Sequence, residues 1–181
     1  MKFLGPGRWA ARELDRRQVI AAAAGAAAWA VGAAPVAAAS AVRKGDLVDF
    51  PRLSLLDGNM LEPADWKGRP GVVVIWSTDC AYCKRHNARL EKLYQALLAR
   101  GSNLRILGLA TDTDARLVRA HLAANGWHFP VALAPPPIRS AFTDRALVPM
   151  TVLIDGQGRL QLAIPGEMTD DDLQAIGRQM G

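Results

Sequence analysis

From Val42 onward the chain alternates short, wholly apolar runs with longer stretches in which apolar residues recur every three or four positions. Val72 to Trp76 is continuous, β-branched and aromatic, the pattern of a central strand buried on both faces. From Cys80 to Arg100 the period changes. Leu90, Leu93, Leu97 and Leu98 share one face, Arg85, Arg89, Glu91 and Lys92 fall mostly elsewhere, and Gly101 ends the helix. Leu104 to Leu109 is a second apolar run, and Asp114 to Asn125 is amphipathic through Leu117, Val118 and Leu122 before Gly126. The order strand, helix, strand, helix predicts an α/β fold.

The flanks complete the sheet. Asp49 to Leu56 predicts a short strand, Asp57-Gly58-Asn59 a tight turn, and Pro63 to Pro70 a turn-rich stretch with a short helix, together a lead-in hairpin. After Pro130-Val131-Ala132-Leu133, Pro135-Pro136-Pro137 predicts a loop and Ile138 to Phe142 a short helical stretch. Val148-Pro149 leads into Thr151 to Ile154. Asp155-Gly156-Gln157-Gly158 then turns the chain into Leu160 to Ile164 as a β-hairpin. A last helix is expected from about Thr169 to Met180, capped by Thr169 or Asp170.

The first forty residues follow a different grammar. Residues 2–17 are basic and polar, residues 19–34 are almost all Ala, Val, Ile and Gly, and small residues continue to Ala41. This is the three-part order of an export signal. Arg16-Arg17 stand directly before the apolar run, which resembles a twin-arginine signal carrying a folded domain; a Sec signal with an incidental arginine pair is the alternative. Ala39-Ser40-Ala41 places cleavage before Val42, with Ala37-Ala38-Ala39 as second choice, so residues 1–41 are read as the signal and 42–181 as one domain. The competing reading is an uncleaved membrane anchor, although the apolar run falls short of the ~20 residues that span a bilayer. The expected location is the periplasm.

Charge changes the picture only after it is divided. The net charge of +5 invites a polyanion-binding reading, but from Val42 onward 17 basic side chains face 15 acidic ones. A domain near +2 carries no nucleic-acid signature.

Chemistry concentrates in Cys80-Ala81-Tyr82-Cys83, where a buried strand meets an amphipathic helix. Unpaired N–H groups and the positive end of the helix dipole favour a thiolate at the helix start, so Cys80 is the expected nucleophile. Cys83, one turn on, is placed to attack a mixed disulfide formed at Cys80. Structural zinc would need four ligands, and the chain has these two cysteines plus His86, His121 and His128. Haem attachment would need a histidine where Lys84 stands. A structural disulfide closing so small a loop would add little stability.

The order Asp57-Gly58, Asp65-Trp66-Lys67-Gly68, Val72 to Trp76 running into Cys80 to Cys83, Gly126, Phe129-Pro130, Val148 to Asp155 and Gly158 resembles the TlpA/ResA-type thioredoxins, extracytoplasmic members of the thioredoxin superfamily. The resemblance implies a thioredoxin fold, a central mixed sheet flanked by helices with an N-terminal hairpin extension, and an enzyme exchanging protein disulfides. It also implies that Pro149 is cis and faces the cysteine pair, with Val148 offering backbone groups to an extended substrate. The implied cofactor is none beyond the Cys80–Cys83 disulfide, and the implied partners are protein thiols and disulfides in the periplasm, with a membrane electron donor. Reduction of apocytochrome or copper-site cysteines is the task implied first, and a monomer is the default state.

Departures from that pattern bear on activity. Asp79 stands before Cys80, where a carboxylate opposes the thiolate unless solvent screens it. Ala81-Tyr82 replaces the commoner proline-containing dipeptides, which weakens a reductant assignment and leaves disulfide oxidation or isomerisation open. His86 stands where reductive relatives often carry an acid. It is expected either as a proton-exchanging group one turn from Cys83 or, the reading favoured by its setting, as a solvated histidine on the helix surface. Trp76 is expected to pack beneath the helix, with substrate contact as the family's alternative. Selectivity is expected around Tyr82, Val148 and Pro135-Pro136-Pro137. A peroxidase would need a proline and threonine around its cysteine; Thr78 is present but no proline lies between Val72 and Cys80. A copper-handling role would use both thiolates and a histidine.

Overall fold

The computed structural model describes residues 42–142 and 147–181; the export-signal reading of residues 1–41 lies outside them. Strand β3 (Gly71–Trp76) is buried along its whole length and is the middle of a five-stranded sheet ordered β5-β4-β3-β6-β7. It runs parallel to β4 (Arg105–Ala110), with Val72 opposite Ile106 and Trp76 opposite Ala110. On its other side it is antiparallel to β6 (Met150–Ile154), with Val73 opposite Val152. β5 (Val131–Leu133) and β7 (Leu160–Pro165) form the edges. The lead-in is a small separate hairpin of β1 (Leu53–Ser54) and β2 (Met60–Leu61), followed by a 3₁₀ turn over Pro63–Trp66. This is the thioredoxin-type mixed sheet with an N-terminal hairpin.

The two-residue period of β3 sorts the core into two layers. Val72, Val74 and Trp76 join Leu90, Leu93 and Leu97 of α1 (Ala81–Ala99), Val118 of α2 (Ala115–Asn125) and Leu173 and Ile176 of α4 (Asp170–Met180). Val73 and Ile75 join Leu107, Leu109, Val152 and Ile154 against Phe50, Leu53 and Trp66 of the lead-in and Ile138 and Phe142 of α3 (Pro136–Phe142). Each fully buried leucine or isoleucine contributes about 1.5–3 kcal/mol, so the two layers, not helix propensity, fix α1 on the sheet.

Element ends follow local chemistry. Gly126 caps α2 at φ +66°, a left-handed conformation in which a Cβ is penalised, and its N–H reaches the Ala123 and Leu122 carbonyls. Thr169 caps α4 by accepting from Asp172 N–H. One boundary departs from the sequence reading: α3 starts at Pro136, two residues before Ile138. Proline fits the first turn of a helix, where no intrahelical partner awaits its missing N–H, so two of the three prolines open the helix and do not form a loop.

Gly108 makes room on β4 for larger neighbours. A Cβ at Gly108 would lie 2.8 Å from Phe129 Cε2 and 3.0 Å from both Trp76 Nε1 and Val131 Cγ2. Gly108→Ala should therefore cost about 1–3 kcal/mol, although alanine is normally no worse than glycine in a strand. Urea unfolding checks this; an unchanged midpoint would mean that the aromatic layer gives way freely.

Candidate active site

Beyond Trp76 the chain leaves the sheet through Ser77-Thr78-Asp79, and the end of β4 holds this exit. Thr111 donates its N–H and hydroxyl to the Trp76 carbonyl at 2.8 and 3.2 Å, and Asp112 accepts Thr78 N–H at 3.1 Å and the Thr78 hydroxyl. The Ser77 hydroxyl is bonded to the Asp79 carboxylate. Asp79 itself is exposed, so water screens the charge it places next to Cys80.

Cys80 is the N-cap of α1, with extended backbone at φ −91° and ψ 110°. Its sulfur accepts the Cys83 N–H at 3.2 Å, the role a serine or aspartate oxygen has at other helix starts. A thiolate would strengthen that bond and gain from the helix dipole. The Cys80 thiol is partly exposed and lies 3.7 Å from the Val148 carbonyl oxygen, to which it donates. The Val148–Pro149 peptide is cis. Pro149 is buried and Val148 half-buried.

Cys83 is 0 % exposed. Burial above all, then its bond with Cys80, pushes its thiol up to about 12, against a backbone bond to Ser77 that works the other way. The two cysteines thus have unequal settings: Cys80 at the surface with a donor aimed at its sulfur, Cys83 beneath it as a protonated thiol. Tyr82, between them, is 62 % exposed, with the Arg85 guanidinium 4.8 Å over its ring. Trp76 is fully buried beneath α1, its ring packed with His121 and Trp127 at centroid distances of 5.8 and 6.0 Å, so it presents nothing to a substrate in this conformation.

His86 corrects the expectation of a solvated histidine, being 0 % exposed. Its Nδ1 accepts the Met168 N–H at 3.1 Å, and since a backbone N–H can only donate, that nitrogen carries no proton. The neutral ring then bears its proton on Nε2, which lies 3.3 Å from the Thr151 hydroxyl oxygen. Burial lowers the pKa of His86 to about 4, with the Arg89 charge acting in the same direction and Glu167 opposing. Proton exchange near neutral pH does not fit a ring so placed. Its visible work is to tie α1 to β6 and to the segment before α4.

That segment was not singled out in the sequence. Glu167 accepts Arg85 Nη2 at 2.7 Å and Arg89 Nη1 at 2.5 Å, and these guanidiniums, Arg85 foremost, hold its carboxyl below the usual range. Arg85 and Arg89 lie on the polar side of α1, and their partner is some eighty residues away in the chain, a pairing no local pattern reveals. Thr151 left a signal, a lone hydroxyl inside an otherwise apolar buried strand, which calls for a partner. Among the described residues no group of three or more His, Cys, Asp or Glu could hold a metal, and both ring nitrogens of His86 are engaged.

Residues 43–178 match the sequence profile of the family described as Redoxin. The thiol-disulfide oxidoreductase ResA of Bacillus thuringiensis is 27 % identical over 119 residues, 66 % of this chain and 68 % of that protein, and ResA of Bacillus anthracis gives the same figures. Among solved structures, a thiol:disulfide interchange protein of Chlorobium tepidum superposes with a TM-score of 0.67 at 21 % identity, covering 78 % of this chain and 99 % of the other. A secreted thiol-disulfide isomerase of Corynebacterium glutamicum gives 0.65 at 20 %, covering 81 % and 94 %.

Proposed function

Because the chain belongs to the Redoxin family, we propose that it is a protein thiol-disulfide oxidoreductase acting outside the cytoplasm, with Cys80 as nucleophile and Cys83 as resolving thiol. The carrying observation is the asymmetry of the pair: Cys80 partly exposed with its sulfur on the Cys83 N–H, Cys83 buried below with its thiol pushed up to about 12. In the reducing direction the Cys80 thiolate attacks a substrate disulfide, forms a mixed disulfide and releases one substrate thiolate. Cys83, having lost its proton, attacks the Cys80 sulfur. The Cys80–Cys83 disulfide forms, the second substrate thiolate leaves, and two electrons have passed from protein to substrate.

Val148 and Pro149 are the proposed docking edge for an extended substrate, supported by the Val148 carbonyl 3.7 Å from Cys80 Sγ. Tyr82 is a proposed contact because it stands exposed within the pair, and Asp79 and Trp76 are proposed to tune it from the solvent and core sides. No cofactor beyond the dithiol is invoked. Export is supported by the three-part pattern of residues 1–41, and the Corynebacterium glutamicum protein that shares the fold is a secreted one. The twin-arginine route, cleavage before Val42, periplasmic substrates such as apocytochrome or copper-site proteins, a membrane electron donor and a monomeric state belong to the same proposal.

The test is reduction of insulin disulfides by the full chain with dithiothreitol as electron source. Turbidity should appear well before that of the uncatalysed reaction; a time course matching dithiothreitol alone would remove the reductase reading.

A further inference from the structure

The segment joining β7 to α4 closes a circuit of hydrogen bonds between α1 and the start of β6, next to the cysteine pair. Gly166 donates its N–H to the Pro149 carbonyl at 2.8 Å. Two residues later, Met168 donates its N–H to His86 Nδ1 at 3.1 Å, and its carbonyl accepts Arg89 Nη1 at 2.9 Å. His86 returns to β6 through Thr151, two residues beyond Pro149. Between these two grips, Glu167 takes both guanidiniums of α1, Arg85 through Nε and Nη2 and Arg89 through Nη1. Residues 166–168 therefore hold Pro149, directly before β6, with one end and Arg85, His86 and Arg89 of the active-site helix with the other.

Glu167 has a second consequence that is electrostatic. Arg85 lies 4.8 Å over the ring of Tyr82, which stands inside the C-x-x-C turn that Cys80 opens, so its charge sits on the turn that carries the nucleophile. Glu167 is its bidentate partner. Charge-assisted bidentate pairs of this kind hold a guanidinium in one orientation, unlike a single surface contact.

We propose that Glu167 is a positioning residue for disulfide exchange: it closes the bracket between the active-site helix and Pro149, and by compensating Arg85 it limits the positive field at Cys80. This rests on the thiol-disulfide reading of the pair. Among the described residues, the charged and titratable groups facing Cys80 include Asp79, Lys84 and Arg85 beside it, Tyr82 and Cys83 within the motif, Asp112 at the end of β4 through Thr78, and Glu167 and Arg89 behind Arg85.

The experiment is the pH profile of iodoacetamide alkylation at Cys80 in the reduced full chain, read by peptide mass, for wild type, Glu167→Gln and Arg85→Ala. Glu167→Gln keeps the shape and frees the cation, so Cys80 should alkylate about threefold faster at a fixed pH below the midpoint. Arg85→Ala, at an exposed site that tolerates truncation, should slow it by about the same factor. Glu167→Asp should restore the wild-type profile. Opposite shifts support the assignment. Superimposed profiles would overturn it even if both variants melt earlier, because a purely structural brace moves the melting temperature and leaves the thiolate fraction alone. Alkylation needs no substrate turnover, so a wild type inactive on insulin would sink the oxidoreductase reading while this comparison still decides the role of Glu167.

Discussion

Replacing Cys83 with serine should turn the chain into a trap. The partly exposed Cys80 still attacks a protein disulfide, but nothing stands beneath it to break the mixed disulfide, so the covalent adduct should accumulate toward one substrate per chain and disappear with dithiothreitol. The reason is the division of labour in the pair: the sulfur of Cys80 carries the donor and the helix terminus, while Cys83 is wholly enclosed. Cys80→Ser should form no adduct and lose all turnover above the uncatalysed rate, because a buried thiol pushed up to about 12 offers almost no thiolate to a substrate at neutral pH. Non-reducing electrophoresis against an oxidised protein mixture reads both outcomes. Adducts formed equally by the Cys80→Ser variant would reverse the assignment of nucleophile.

His86 should make the fold acid-sensitive in a defined window. Its folded pKa, lowered to about 4 by burial, lies below the ordinary value of 6.5, so between those values the unfolded chain binds the proton more readily. Stability from the neutral ring is therefore complete above pH 6.5 and is lost as pH falls toward 4, a total of about 3 kcal/mol. Protonation would also set Nδ1–H against the Met168 N–H, two donors facing each other. Chemical denaturation from pH 7 to 4 should show this loss in wild type and a much flatter curve in His86→Gln. Paired carboxylates such as Glu167 and Asp172 add their own loss on acidification, mainly below pH 5, so the difference between the two proteins is the reading to take. Equal slopes would contradict a buried neutral histidine.

His86 also shows where sequence reasoning reaches its limit. Positions 83, 86, 90, 93 and 97 form one continuous helical stripe, and all five are buried, yet a polar residue in that stripe reads as surface because its partners are invisible. Those partners, Thr151 and Met168, come from β6 and from the approach to α4, brought in by tertiary packing. Arg85 and Arg89 lie on the polar side of α1, yet both are paired with Glu167. By contrast β3, α1, the Gly126 cap, the Thr169 cap and the 155–158 turn were legible because each is written in local residues: β-branched runs, a changed period, a glycine at positive φ, a hydroxyl before an acidic turn. The C-x-x-C pair was legible for the same reason, its spacing and its place at a strand-to-helix junction being adjacent in sequence. Gly108 gave no warning that Phe129 and Trp76 would occupy the space above it.

The equilibrium reduction potential of the Cys80–Cys83 couple, measured in the full chain against glutathione and dithiothreitol buffers, decides whether the dithiol serves as a reductant. A potential near the ~−270 mV of thioredoxin, or lower, is the expected result and fits a dithiol that gives electrons to protein disulfides. A potential near the ~−120 mV of a strong oxidant would contradict it and assign the same two cysteines to making disulfides.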